Sequence, residues 1–564
     1  MTTLAALLAL LCLSGQAIST PAPHRKHPVA ITTNGSYYGT YNAEYDQDIF
    51  FGMPYAQPPV GDLRFARPQS LNTSWSGLRN ATTPGFSCIG YGPESYMASP
   101  NHEDCLNLEV IRPAREEKPL PVLVWIHGGG FTEGSSTTSY YNTSFIVQRS
   151  QEIGQPIITV SINYRLAAWG FIWSDQIVEE GLTNLGLRDQ RMALQWVQEN
   201  IAAFGGDPSR VTIMGESAGS VSVNKQLLAF NGRNDGLFHQ VISQSGPAAG
   251  QGPWERTPEK LGRATINVTE AVCLGAEDKL ACLRQADFET LNNAINASLK
   301  VPAAGSLYGP VIDGEFVAGP SAQQLRDGNF PPVTYLIGST NDEASYFVPL
   351  GINSDSDLHD VLSGVSMGLN FTTATAVMSA YGHNDNDLCL QGISNAQLND
   401  TVGYQYRRLT TIMTDAIFKA GTHFTAEQWK SHSKSDVFVY NAHVPFSTVP
   451  QYRGSSHGFD LAYMFNNVNG SGWEGENPPW EGPNPLGGLP EPYLELAREM
   501  TGMWVGFVNT GVPRYSQQTA PEWPPYRGSD PQIYHFAAEP THLNITVGKE
   551  QRISNMELMA SLVY

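Results

Sequence analysis

Gly215-Glu216-Ser217-Ala218-Gly219 fits the pattern Gly-x-Ser-x-Gly. A serine hydroxyl becomes a nucleophile only when a base takes its proton and a third group orients that base. The flanks suit such a serine: an apolar stretch at 210–214 reads as a strand, and 218–228 reads as a helix. Glycine on both sides leaves room for a tight strand-to-helix turn that lifts the hydroxyl clear of a sheet. A serine in an ordinary Gly-rich turn at a strand end would give the same five residues. A second motif, His127-Gly128-Gly129-Gly130-Phe131, directly follows an apolar run ending at Ile126. A Gly-rich loop after a strand can cradle phosphate, but the Gly-x-x-x-x-Gly-Lys-[Ser/Thr] pattern is absent. The other use is an oxyanion hole, built from the N–H groups of Gly129, Gly130 and Ala218, the residue after the serine. One such donor is typically worth roughly 10²–10³ in rate.

The elements needed to position these residues can be read around them. Residues 121–126 and 157–162 are continuous apolar runs, as expected of strands buried on both faces. A helix at 189–204 has Ala193, Val197 and Ile201 on one face, and Gly205-Gly206-Asp207-Pro208 ends it. Short strands follow at 241–243, 333–337 and 437–440. Strands alternating with helices predict an α/β fold with a mostly parallel sheet. Residues 470–492, rich in Gly, Pro, Trp and Glu, read as a long surface loop before a helix at 493–508. A serine nucleophile of this kind needs an acid to orient its base. Asp342 and Glu343 stand just past the strand at 333–337. Adjacent side chains point in different directions, so only one of them faces a histidine.

These motifs resemble the type-B carboxylesterase/lipase family of α/β-hydrolases. The resemblance extends to the block from Gly52-Met53-Pro54-Tyr55 to Asp62-Leu63-Arg64-Phe65, to Glu103-Asp104-Cys105-Leu106-Asn107-Leu108 and to Asn163-Tyr164-Arg165-Leu166. Gly186-Leu187-Arg188-Asp189-Gln190 and the stretch 502–511 are similar too, so it covers roughly residues 45–530. It implies the α/β-hydrolase fold, with a central mostly parallel sheet flanked by helices and with excursions around the site. It also implies a single catalytic domain over residues 28–564. Of the thirteen histidines, His457 in Ser456-His457-Gly458-Phe459-Asp460 matches the family's histidine block. His24 and His27 precede the fold, and His359, His383 and His432 lie in polar stretches and read as surface residues. The family's acid block resembles Gly338-Ser339-Thr340-Asn341-Asp342-Glu343, which implies Glu343 as the acid. Ala344 stands where the family usually has glycine. Glu216 then reads as a supporting carboxylate, and Asp460 as a support of the histidine loop. The implied site is Ser217, His457 and Glu343, with the oxyanion on Gly129, Gly130 and Ala218, and with no cofactor and no metal.

Composition narrows the setting. The chain has 564 residues, with 33 Lys+Arg against 53 Asp+Glu, a net charge of −20. That disfavours nucleic acid and anionic membranes as partners. With 41% hydrophobic and only 15% charged residues, the bulk of the chain is expected to fold. Residues 4–12 form an apolar run too short to span a bilayer, followed by small residues at Gly15-Gln16-Ala17. This reads as a signal peptide over residues 1–17, although its start lacks a basic side chain. No later apolar run approaches the roughly 18 residues of a transmembrane segment. N-x-S/T sequons stand at Asn34, Asn72, Asn80, Asn142, Asn267, Asn296, Asn370, Asn399, Asn469 and Asn544, so a secreted, extracellular glycoprotein is expected. Cys12 leaves with the signal peptide. The remaining cysteines read as the local pairs Cys88–Cys105 and Cys273–Cys282 with Cys389 spare; spacing leaves the connectivity open, and the family resemblance supports these pairs. No double C-x-x-C suggests zinc.

The sequence is thus expected to encode a secreted serine carboxylic ester hydrolase acting on small to medium acyl esters. In the family it resembles, the loop closed by the first disulfide forms a long lid in lipases and carries a choline-binding Trp in cholinesterases; the Cys88–Cys105 loop here is short and holds no Trp, the best cation–π partner for a quaternary ammonium, so the resemblance disfavours both a choline ester and a large lid. Residues Trp473 to Trp480 could replace a lid or pack locally. The alternatives are a lipase on longer acylglycerols, an acyltransferase or lactone-processing esterase of secondary metabolism, and an inactive adhesion protein of the same family.

Overall fold

The computed structural model describes residues 27–563 apart from 117, 250–256, 300–307, 365–366, 383–387, 391, 394–397, 474–481 and 529. The expected signal peptide, His383 and Trp480 lie outside the described residues. In chain order the strands are β1 (Val29–Ile31), β2 (Ser36–Tyr38), β3 (Thr40–Asn42), β4 (Gln47–Pro54), β5 (Leu78–Asn80), β6 (Asn107–Pro113), β7 (Leu120–Ile126) and β8 (Ile158–Ile162). They continue with β9 (Gly206–Glu216), β10 (Gln240–Gln244), β11 (Thr334–Thr340), β12 (Val437–His443), β13 (Gln532–Glu539), β14 (His542–Leu543) and β15 (Thr546–Lys549). β1, β2 and β5 make a small separate sheet. The others form one sheet in the order β14-β13-β12-β11-β10-β9-β7-β8-β6-β4-β3, with β15 also on β13. Every pairing from β8 through β7, β9, β10, β11 and β12 to β13 is parallel, and both outer parts are antiparallel. This is the α/β-hydrolase architecture expected from the sequence.

The apolar runs are apolar because both faces of the sheet are covered. Along β7, Val122, Val124 and Ile126 face one core with Ala193 and Val197 of the helix Leu185–Asn200. Leu123 and Trp125 face the other, with Ile146 and with Trp504 of the helix Glu491–Thr510. A third cluster joins the helices Asp355–Ser363, Phe371–Ala380, Tyr406–Thr414 and Ile553–Val563.

Two expectations change in detail. The helix expected at 189–204 begins at Leu185 and tightens into a 3₁₀ turn over Ile201–Phe204 before Gly205, whose φ is +80°. Trp473, read from sequence as part of a surface loop, is fully buried: it stacks on Tyr140 with centroids 4.5 Å apart and meets the Phe446 ring edge-on. Its indole area outweighs the polar bias of the surrounding sequence. The disulfides Cys88–Cys105 and Cys273–Cys282 are both formed, and Cys389 is a buried free thiol. Among the described residues no helix is long and apolar enough to cross a membrane.

Candidate active site

Ser217 sits between the end of β9 and the helix Ala218–Leu227 with φ +56° and ψ −123°, a strained conformation for a residue with a side chain. Two bonds hold the strain: Ser217 N–H donates to Gln244 O at 2.9 Å, and Val221 N–H donates to Ser217 O at 2.9 Å. The flanking glycines have no space for a side chain. A Cβ on Gly215 would strike the backbone of Gly219, and one on Gly219 would strike the carbonyls of Ile126 and His127.

His457 brings its ring to this turn from a loop after β12. Its Nε2 is 2.8 Å from Ser217 Oγ and its Nδ1 is 2.6 Å from Glu343 Oε2. Glu343 opens a 3₁₀ turn, Glu343–Tyr346, just past β11. Its Oε1 accepts from Ser245 Oγ at 2.5 Å and from Thr340 N–H at 2.7 Å. Asp342 turns the other way: its carboxylate accepts from Leu390 N–H at 2.6 Å, Asn341 Nδ2 at 2.8 Å and Ser455 N–H at 2.8 Å. Ala344 is buried, keeps out of the left-handed region, and donates its N–H to Thr414 Oγ1 at 3.1 Å, so its methyl fits without strain.

Glu216 lies closer to the chemistry than a supporting role suggests, with Oε1 3.4 Å from His457 Nε2. Burial pushes its carboxyl well above the usual range. Burial pulls the His457 imidazole down, but the Glu216 and Glu343 carboxylates outweigh it and hold the ring up at about 9. Glu216 thus acts on the ring through charge at 3.4 Å, whereas the Nε2 hydrogen bond goes to Ser217 Oγ. Asp460 accepts from Gln244 Nε2 and Tyr440 OH, both at 3.0 Å, and burial pushes it up to about 6.

The glycine loop after β7 runs against the serine; a Cβ on Gly128 would lie 3.2 Å from Ser217 Cβ. Gly129 and Gly130 have φ of +90° and +62°. Ala218 opens its helix, where first-turn N–H groups lack an intrahelical acceptor. His127 is buried, stacked on Tyr164, and lowered by burial to about 4. Sequence reading missed Phe347 and Phe418, whose rings lie 5.1 Å from His457 by centroid. Phe347 shares the turn of Glu343, which is a usable signal. Phe418 arrives on a π-helical turn, Asp415–Lys419, which no local pattern announces. Ser245 was missed as well, though it directly follows β10, the strand beside the serine's own. His359 is half-buried against Phe371, while His432 is exposed. Among the described residues no cluster of His, Cys, Asp or Glu is arranged to hold a metal ion.

Comparison with known proteins agrees with the geometry. The profile of the carboxylesterase family matches residues 26–558. Lipase 1 of Geotrichum candidum is 34% identical over 465 residues, covering 74% of this chain and 80% of that protein. Lipase 4 of Diutina rugosa is 36% identical over 425 residues, 69% of this chain and 75% of that protein. An acetylcholinesterase of Bungarus fasciatus is 31% identical over 542 residues, 90% of this chain and 82% of that protein.

Proposed function

The chain belongs to the carboxylesterase family, and we propose that it cleaves small to medium acyl esters through an acyl-enzyme on Ser217. It is a carboxylic ester hydrolase; the proposal concerns its route and its substrates. The observation that carries the route is the relay from Ser217 Oγ through His457 to Glu343, at 2.8 Å and 2.6 Å. Ser217 Oγ attacks the ester carbonyl while His457 Nε2 takes its proton. Glu343 holds Nδ1–H and with it the ring orientation and tautomer. The N–H groups of Gly129, Gly130 and Ala218 receive the oxyanion. His457 then protonates the departing alcohol, and water, activated by the same ring, releases the acid.

The size range is supported by the Cys88–Cys105 loop, a short segment tied down by Tyr91 N–H on Thr132 O and Ser139 N–H on Met97 O. The buried Trp473 favours local packing over a lid role. The second reading is a lipase on longer acylglycerols, favoured by the likeness to Lipase 1 and Lipase 4. Secretion and N-glycosylation complete the proposal, supported by two disulfides and by exposed sequon asparagines such as Asn72, Asn80, Asn267 and Asn296. The test is turnover of p-nitrophenyl esters from acetate to palmitate by wild type and Ser217→Ala. Turnover by wild type alone, best on short and medium chains, is expected. An optimum at palmitate selects the lipase reading, and equal turnover by Ser217→Ala overturns the acyl-enzyme.

A further inference from the structure

One acidic side chain joins the Cys88–Cys105 loop to the glycine loop. Glu94 N–H donates to Glu133 Oε2 at 2.9 Å, and Tyr91 N–H donates to Thr132 O at 2.7 Å. The N–H groups of Thr132 and Glu133 both donate to Gly129 O at 3.0 Å. The fit is flush: a Cβ on Gly92 would strike the Glu133 carboxyl, one on Gly90 would strike Ser95 Oγ, and one on Gly129 would strike Glu133 O. Glu133 is half-buried, and burial with the neighbouring Glu94 raises its carboxyl to about 8. Placing a second carboxyl beside the half-buried Glu94, one of whose carboxyl oxygens is buried, is costly. Nothing in the triad chemistry uses it.

We propose that Glu133 is a positioning residue, which bridges the Cys88–Cys105 loop to Gly129 and thereby aims the Gly129 and Gly130 N–H groups at the oxyanion. The inference rests on the ester-hydrolase reading of this site. Its physical ground is the freedom of glycine: neighbouring glycines without side chains visit several backbone wells unless something outside them selects one. Oxyanion donors act only when held within hydrogen-bond reach of the developing charge. The bridge supplies that selection from two directions, through the Glu133 main chain on Gly129 and through its carboxyl on Glu94.

The oxyanion exists only near the transition state, so a loosened loop lowers kcat and leaves KM in place. The test compares wild type, Ser217→Ala, Glu133→Ala and Glu133→Gln on p-nitrophenyl butyrate, with a melting curve for each. Glu133→Ala is expected to lose roughly 10- to 100-fold in kcat at unchanged KM. Its affinity for a trifluoromethyl ketone, which forms a hemiketal oxyanion on the serine, is expected to fall by the same factor. Glu133→Gln keeps an oxygen for the Glu94 N–H and resembles the neutral acid, so it is expected to stay near wild type. The proposal is overturned if a folded Glu133→Ala keeps wild-type kcat, if its loss lies in KM, or if Glu133→Gln is as impaired as Glu133→Ala. A wild type that turns over no ester, or an active Ser217→Ala, overturns the underlying reading instead.

Discussion

Replacing Glu343 by Gln tests the acid at the end of the relay. The substitution is isosteric, and the geometry dictates how the amide must sit. Glu343 Oε1 accepts from two donors, Ser245 Oγ and Thr340 N–H, and the backbone N–H can only donate. The single oxygen of the substituted amide therefore goes to that side, and its NH₂ faces His457 Nδ1. Nδ1 must then become the acceptor, which puts the ring proton on Nε2, facing Ser217 Oγ. In that tautomer the ring cannot take the serine's proton. The expected loss is about 10⁴-fold in kcat, or about 5 kcal/mol of transition-state stabilisation, with the fold intact. The neighbour supplies the control. Asp342→Asn turns an amide NH₂ toward a backbone N–H of Leu390 or Ser455, which costs about 1–3 kcal/mol of stability while kcat falls far less. The assay is steady-state turnover of p-nitrophenyl butyrate beside thermal unfolding for both variants. A folded Glu343→Gln that keeps more than roughly a tenth of wild-type kcat would refute the tautomer argument, as would an Asp342→Asn with the larger catalytic loss.

His457 carries a pH prediction. Burial lowers it, but Glu216 and Glu343 prevail and hold it at about 9. It acts as a base only when neutral, so kcat/KM is expected to climb with pH above 6.5, the ordinary imidazole value, and Glu216→Gln to move that limb downward. An acid limb centred at or below 6.5 in wild type counts against this. The same raised value adds stability that is complete below pH 6.5 and lost as pH rises through about 9; His457→Gln should flatten that slope in melting curves. Gly219→Ala presses a methyl onto the Ile126 and His127 carbonyls, so a loss of about 1–3 kcal/mol and of turnover is expected from unfolding and activity assays. Phe418 is 3% exposed and Phe347 is 40% exposed. Phe418→Ala should therefore cost about 3–5 kcal/mol, while Phe347→Ala should spare stability and change KM across the ester series; equal melting shifts would contradict that division.

Local pattern was enough for the serine turn, the glycine loop and the strands that carry them. Each leaves its signature within a few residues of sequence. Gly215 is required by the turn itself and Gly219 by the carbonyls that end β7, yet both stand in one five-residue pattern, and residues 121–126 are apolar because a strand covered on both faces must be. The same local rules left Asp342 and Glu343 as equals until the family resemblance favoured one. The direction of the 3₁₀ turn after β11 gives only Glu343 a path to His457. Ser217 and His457 are 240 positions apart in sequence, and their 2.8 Å contact exists because parallel β9 and β12 end at the same edge of one sheet. Phe418 and Glu133 were silent in the sequence for the same reason. One depends on a π-helical turn and the other on where a disulfide-closed loop comes to rest. Periodicity records which face of an element is buried, whereas the meeting of distant elements is decided by how the sheet, its covering helices and its closing loops pack together.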